Sequence, residues 1–396
     1  MPLLLKNVRM VDCNHELHGD VLLEHGKIAA IGTGLSTAGR VIDAAGLTLL
    51  PSFVDLHVHF REPGFPQKED ILSGCRAAVH GGYTAVNLMP NTNPVCSDME
   101  TVRQIRARAA ELGICYVHQT VSITNHFDGE DIRHLEQIDR DVRWLSDDGL
   151  GVQSTGTMLR AMRFAKQRGI GLMLHEEDNA LTHVDSYLME ELPTERDIEL
   201  ALLTGCATHF CHVSTKRAIN AIIAGKKRGA PITCEVTPHH LALNDQNGGR
   251  VAPPLRGEEH RAYLVQCLRA GHIDAIATDH APHTPADKAA GANGFSGLDL
   301  SFATCYTTLV EPGHLSLQQL SRYMSYSPAR LLGVPGGLIE VGQAANLVLV
   351  DLGKHFIAGQ EHIFSRSKNS PMLGTRLSGE IILTLKEGEL VYEKNN

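Results

Sequence analysis

The sequence contains no Cys-X-X-Cys pair, although it has nine cysteines. They are Cys13, Cys75, Cys96, Cys115, Cys206, Cys211, Cys234, Cys267 and Cys305, several of them inside apolar stretches. The odd number and the scatter give no support to a cysteine zinc site or a disulfide framework. They are the pattern of buried thiols in a reducing cytoplasm, where the protein is expected to reside. No apolar run is long enough to span a bilayer, so no membrane segment is expected. The opening Met1-Pro-Leu-Leu-Leu-Lys6 lacks the basic start and the cleavage site of a leader and is expected to form a first strand. A basic excess is also missing: the net charge is -9, without long charge runs, which argues against nucleic acid as a partner. No internal repeat or low-complexity tract stands out.

What is present is length and regular alternation. The chain has 396 residues, 43% hydrophobic and 20% charged, enough for one large domain and a smaller one. Residues 1–50 carry short strand-like segments separated by turn residues, and Ala345–Asp351, Glu380–Lys386 and Glu389–Tyr392 again read as strands. Both termini are therefore expected to build one small composite β-domain, from residues 1–50 and 336–396, flanking a central domain at 51–335. In that centre, apolar runs at Leu49–His57, Thr84–Met89, Ile114–Ile123, Val142–Ser146, Gly171–His175, His209–Val213, Pro231–Val236 and Ile273–Thr278 alternate with helical patterns. The helices are expected at Lys68–Val79, Asp98–Leu112, Gly156–Arg168, Thr215–Arg228 and Glu258–Ala270, with Ser327 and Pro328 starting a later one that stops at Gly333. This is the pattern of an α/β fold, a TIM-type (β/α)8 barrel. An open doubly wound sheet would carry a phosphate-binding glycine loop after its first strand. Here that strand ends in histidines.

Function in such barrels sits at the C-terminal ends of the strands. Along the first strand side chains alternate, so His57 and His59 share a face and Arg61 continues it. A His-X-His pair alone is more often structural than metal-binding. The other strand ends change the balance: Asn91, the pair Asp147-Asp148, His175, His212, His239-His240, Asp279-His280 and His283. An aspartate at a strand-to-helix joint is usually a helix cap. Four histidines and two aspartates from one barrel mouth are instead a set that can hold two divalent ions. His57, His59 and Asp279 are assigned to one ion, His175 and His212 to the second, and one aspartate of the 147–148 pair bridges them. A metal-bridging hydroxide would be the nucleophile, and Asp279 would pass its proton to the departing nitrogen. His239 and His240 are read as supporting or structural residues, and His280 as one that packs or orients a neighbour.

At this level the chain resembles the dihydroorotases of the cyclic amidohydrolase family, over nearly its whole length. The resemblance rests on DLHVHFREPG, GGYTAVNLMPNTNPV, LSDDG, CHVSTK, EVTPHHL, PPLRG and ATDHAPHT. It implies reversible cyclisation of N-carbamoyl-L-aspartate to L-dihydroorotate in pyrimidine synthesis, with two Zn2+ per subunit. It implies Asp148 as the bridge, and Arg61, Asn91 and His283, beside His59, as the groups that take the substrate carboxylate. A guanidinium fork suits that task. It also implies a homodimer and possible association with aspartate transcarbamoylase. Hydantoin-hydrolysing relatives bridge with a carboxylated lysine, where this chain has Leu-Ser-Asp-Asp; allantoinases lack the arginine at position 61. Other cyclic amidases, and a non-catalytic scaffold that binds aspartate transcarbamoylase, are the alternatives. The chain departs from the family pattern in a short 176–211 segment, in Ala252 where an asparagine is usual, in Glu176 for a cysteine, and in Asn293-Gly294 for Phe-Gly. Backbone groups of Asn293 and Gly294 are still expected to reach the ring. The Ala-, Gly- and Pro-rich eighth loop is read equally as a closing lid or as a loose surface loop.

Overall fold

A computed structural model describes residues 2–394. Both ends of the chain contribute to one eight-stranded sheet. Its strands are β1 (Leu3–Val11), β2 (Glu16–Glu24), β3 (Lys27–Gly32), β4 (Arg40–Asp43) and β5 (Thr48–Pro51). From the other end come β14 (Leu347–Ile357), β15 (Arg376–Lys386) and β16 (Glu389–Glu393). The order is β16-β15-β14-β5-β1-β2-β3, with β4 beside β1. Val8, Met10, Val21, Leu23, Leu49, Leu347, Leu349 and Leu383 fill its own apolar core.

The remaining strands are parallel and follow the barrel order. They are β6 (Phe53–Val58), β7 (Tyr83–Leu88), β8 (Tyr116–Gln119), β9 (Trp144–Leu145), β10 (Gly171–Leu174), β11 (Thr208–Phe210), β12 (Ile232–Val236) and β13 (Ala275–Ile276). They form a three-stranded ladder, β6-β7-β8, and a five-stranded one, β9 to β13. Single parallel bridges, Val121 with Leu145 and Val58 with His280, span the two seams. The ladder is thus not continuous, but the strand order is that of a TIM-type barrel.

The apolar run Leu49–His57, expected to be one strand, is divided between two. β5 pairs with β1 and β14 in the terminal sheet, and β6 pairs with β7 in the barrel. Ser52 separates them; its amide donates to Asn346 O, and its hydroxyl lies 2.6 Å from Thr84 Oγ1. A continuous apolar pattern cannot reveal a change of sheet.

Helix starts follow local capping chemistry. α1 (Ile71–His80) is capped by Asp70, α2 (Met99–Leu112) by Asp98, α3 (Thr155–Arg168) by Ser154, and α5 (Lys216–Lys227) by Thr215. α4 (Leu188–Thr204) was not expected. It contains Pro193, and it buries Glu190, Glu191 and Asp197 along with its apolar residues, which erases the usual stripe. α6 (Pro238–Ala242), α7 (Glu258–Arg269) and α8 (Pro285–Ala289) follow. Ser327 is not a cap: helical backbone passes through a π turn at Arg322–Tyr326 and on to Leu332. Gly333 does end that helix, in the left-handed conformation.

Candidate active site

Six side chains meet at the mouth of the barrel. His57 and His59 leave the end of β6, Asp148 follows β9, His175 follows β10, His212 follows β11 and Asp279 follows β13. Each is at least nine-tenths buried. His59 Nε2 stands 3.0 Å from Asp279 Oδ1, and His57 Nε2 3.6 Å from the same oxygen. Asp148 Oδ1 faces three imidazoles: His57 Nε2 at 3.2 Å, His175 Nδ1 at 3.5 Å and His212 Nε2 at 3.6 Å. Its second oxygen faces His59 Nε2 at 3.6 Å. Among the described residues, His57, His59 and Asp279 can present ligand atoms to one ion, and so can His57, Asp148 and His212. The donor set of imidazole and carboxylate suits zinc and its neighbours.

The two aspartates of the 147–148 pair part company. Asp147 is spent on its own scaffold, accepting from the amides of Ile123 and Thr124 and from the Thr124 hydroxyl. Burial, set against those bonds, raises its carboxyl to about 6. Asp148 Oδ1 is buried and has no hydrogen-bond partner, and the same is true of His57 Nε2.

The electrostatics are those of a compact set of mutually charged groups. Burial opposes ionisation of Asp148, yet His57, His175 and His212 hold it well below the usual carboxylate range. Burial likewise opposes protonation of His175, but Asp148 and Glu177 lift it to about 10. Asp279 is depressed against its burial by His59, His57 and His212.

A second set of residues aims these imidazoles; Glu235, His209, Thr233 and Glu177 had no role expected from the sequence, whereas His280 and His240 were expected to support or orient neighbours. His57 Nδ1 lies 3.0 Å from Glu235 Oε1, whose other oxygen lies 3.0 Å from His209 Nε2; His209 Nδ1 is 2.7 Å from Thr233 Oγ1. Burial works against the Glu235 carboxylate, but His209 and His57 hold it down to about 2. A glutamate inside the apolar strand β12 was the available signal. His175 Nε2 is 2.7 Å from Glu177 Oε2, which turns Nδ1 toward the cluster. His280 is fully buried between Glu69 Oε2, at 3.3 Å, and the amides of Gly297 and Leu298. Its carbonyl accepts from the His59 amide, so it fixes the seam between the two candidate ligands His59 and Asp279. His240 is occupied by Thr237 and the Pro253 carbonyl.

Beside the cluster opens a cavity of about 280 Å³ whose wall includes His59, Arg61, Asn91, His283, Asn293 and Gly294. Arg61 Nη2 is 3.3 Å from His283 Nε2, and among the described residues no carboxylate pairs with the guanidinium. Arg61 Nε and His283 Nδ1 are buried without partners. Burial and the Arg61 charge pull His283 down to about 4, so it stands neutral. Asn91 Oδ1 lies 2.8 Å from His59 Nδ1, so the amide nitrogen is the group of Asn91 not engaged by that contact. Gly294 takes φ of 130°, and a Cβ there would stand 2.6 Å from the Ala281 Cβ. Its amide donates to Arg250 O and its carbonyl accepts from Lys288 and Asn369, so it offers close approach rather than a free backbone group. Ala252 also lines the wall, with no polar group to offer. Three site residues hold left-handed backbone, Arg61 at φ 60°, His212 at 35° and Asp279 at 47°. Such conformations persist only where surrounding structure enforces them, and they concentrate at functional sites.

The amidohydrolase family profile matches residues 48–391. The chain belongs to the amidohydrolase family. Full-length relatives within it agree. A dihydroorotase of Clostridium botulinum (strain Eklund 17B / Type B) is 42% identical over 398 residues, covering 100% of both chains. A dihydroorotase of Thermoanaerobacter sp. (strain X514) is 38% identical, covering 100% of this chain and 98% of the other. Among solved structures, an L-hydantoinase (dihydropyrimidinase) from Arthrobacter aurescens superimposes with a TM-score of 0.89 at 25% identity, over 100% of this chain and 96% of that one. This amidohydrolase is therefore similar in fold to a solved L-hydantoinase and similar in sequence, over its whole length, to relatives named dihydroorotase. Among its described residues, no helix is long and apolar enough to cross a membrane.

Proposed function

We propose that this chain is a zinc-dependent dihydroorotase that interconverts N-carbamoyl-L-aspartate and L-dihydroorotate. The observation that carries the reading is Arg61: a partly buried guanidinium with no carboxylate partner among the described residues, on the wall of the cavity that the His/Asp cluster closes. A charge left in that state calls for an anionic substrate. The full-length relatives named dihydroorotase support the same choice.

Two zinc ions would be held by His57, His59 and Asp279 and by His175 and His212, with Asp148 between them. The unpartnered Asp148 Oδ1 and His57 Nε2 fit that use. When bound, such ions activate water and polarise a carbonyl. The chain's own residues do the rest. Arg61, with His283 and the Asn91 amide nitrogen, takes the substrate carboxylate and sets the ring against the cluster. His283 is neutral and can donate or accept without competing for that charge. In hydrolysis, Asp279 accepts a proton on its carboxylate from the attacking water and delivers it to the ring nitrogen as the amide bond breaks. In the reverse direction the ureido nitrogen attacks the carbon of the protonated side-chain carboxyl, loses its proton to Asp279, and Asp279 passes that proton to the departing hydroxyl, which leaves as water.

The proposal extends to a cytoplasmic enzyme that works as a homodimer and can associate with aspartate transcarbamoylase, which light scattering and co-purification test. The decisive experiment is a steady-state assay of zinc-loaded protein on dihydroorotate, N-carbamoyl-L-aspartate, hydantoin and allantoin. Turnover of the first two and not the others is expected. Preference for hydantoin or allantoin would assign another cyclic amidase, and a folded, metal-loaded protein inert to all four would be a scaffold.

A further inference from the structure

The loop after β13 carries His283, Asn293 and Gly294 to the cavity, and its composition suggests freedom. Its contacts contradict that. We infer that Asn369 is a positioning residue that holds residues 281–296 as a fixed wall of the cavity, so that the loop is a built part of the site and not a lid.

Asn369 lies in a segment that leads into β15 and crosses from the terminal sheet to the barrel mouth. The segment is laid against the barrel by paired contacts. The Ser365 hydroxyl donates to Glu69, the Arg366 amide donates to Glu69 Oε1 at 3.2 Å, and the Ser367 hydroxyl donates to Lys68 O at 2.6 Å. Asn369 is then carried to the gap between the two ends of the loop. Its Oδ1 accepts from the His283 amide at 3.1 Å and lies 2.7 Å from the Ser296 hydroxyl, whose one proton is also within reach of the Ser367 carbonyl at 2.8 Å. Its Nδ2 donates to Gly294 O at 3.1 Å and Ala281 O at 3.4 Å, and its carbonyl accepts from the Ser296 amide at 3.2 Å. One amide side chain thus binds residues 281 and 283 on one side and 294 and 296 on the other.

The middle of the loop is braced separately. Thr284 and Asp287 form a reciprocal cap on α8. Lys288 Nζ donates to three carbonyls, of Arg250, Ala292 and Gly294, each at 2.9 Å. A donor and an acceptor on one planar group, both used twice, fix orientation in a way a hydroxyl or an aliphatic side chain cannot. The consequence for function is placement of His283 opposite Arg61, where the substrate carboxylate is proposed to sit. The inference rests on that reading for its kinetic consequence, but not for its structural one.

The test uses the full-length zinc-loaded protein and the variants Asn369→Ala, Asn369→Asp and Lys288→Met, with Arg61→Met as the control for the substrate reading. Hydrogen–deuterium exchange of peptides covering 281–296 is expected to rise at least about fivefold in Asn369→Ala, with peptides of β10 to β12 unchanged. KM for N-carbamoyl-L-aspartate is expected to rise about tenfold, kcat to stay within about threefold, and zinc content to stay constant. Asn369→Asp keeps both acceptor contacts and is expected to preserve slow exchange at the His283 end while losing it at Gly294. Lys288→Met is expected to speed exchange at 290–294 and serves as well if Asn369→Ala does not fold. Unchanged loop exchange in Asn369→Ala, or a rise of equal size across the whole barrel, would overturn the inference. If Arg61→Met leaves KM unchanged, the substrate reading fails while the exchange result still decides the role of Asn369.

Discussion

Asp148 Oδ1 stands 3.2 Å from His57 Nε2, and the two do not form a hydrogen bond. Both atoms are buried, and both lack any other partner. With His212 they stand close enough together to present ligand atoms to one ion. Purified protein loaded with zinc is expected to hold two ions per chain by elemental analysis. Stripping them with a chelator should lower the thermal midpoint, because ions that bind only the folded state add to its stability. Asp148→Ala should retain at most one ion; retention of two would remove Asp148 from the bridging position.

Asp279 is proposed to move the proton. Asp279→Asn keeps an oxygen toward His59 but no basic site, so its fold should survive while kcat falls by about 10²–10⁴. Circular dichroism and elemental analysis would show that fold and metal persist. A folded, loaded variant turning over at the normal rate would rule out the shuttle role.

Arg61→Met removes the charge and keeps most of the volume. KM for N-carbamoyl-L-aspartate should rise by about 100-fold, the scale of a lost charge-assisted pair, with zinc content unchanged. The variant should bind neutral hydantoin no worse than the parent does. Equal affinity for carbamoyl aspartate in both proteins would contradict the assignment.

Glu235 supports His57 and His209 together. Replacing it with alanine leaves two buried imidazoles without their shared acceptor and should cost about 2–4 kcal/mol in chemical denaturation. Zinc affinity should drop by about 10–100-fold, the usual effect of removing the group behind a ligating histidine. Competition with a chromogenic chelator measures it.

His118, on β8, gives a pH prediction away from the site. Burial, aided by the charges of Arg106 and Arg143, lowers it to about 4. An unfolded histidine titrates near about 6.5. Between those values the unfolded chain binds a proton that the folded chain refuses, so stability falls as pH drops from 6.5 toward 4. His118→Gln should flatten that slope by about 1–2 kcal/mol, allowing for solvent screening of a group that is not fully buried. Denaturant midpoints at pH 7 and pH 5, compared between parent and variant, give the difference.

The candidate site lies at strand ends, and so its membership was legible in the sequence. The β/α alternation announces a barrel, a barrel places the strand ends together, and histidines and aspartates at those ends stand out against apolar runs. Local chemistry also placed the helix starts at Asp98 and Thr215, because a cap is a property of a few neighbouring residues, while the helix expected from Gly156 begins at Thr155 behind a Ser154 cap. Tertiary structure decided what depends on partners distant in the chain. It chose which aspartate of 147 and 148 faces the cluster, since alternation cannot say that Asp147 finds the Thr124 amide. It split the run Leu49–His57 between two sheets and hid α4 by burying three of its acidic residues. It also brought Glu235 behind His57 across 178 positions, and Asn369 to His283 across 86. Periodicity and spacing report what a residue's neighbours in the chain require; a hydrogen bond between remote segments exists only once folding has brought them together.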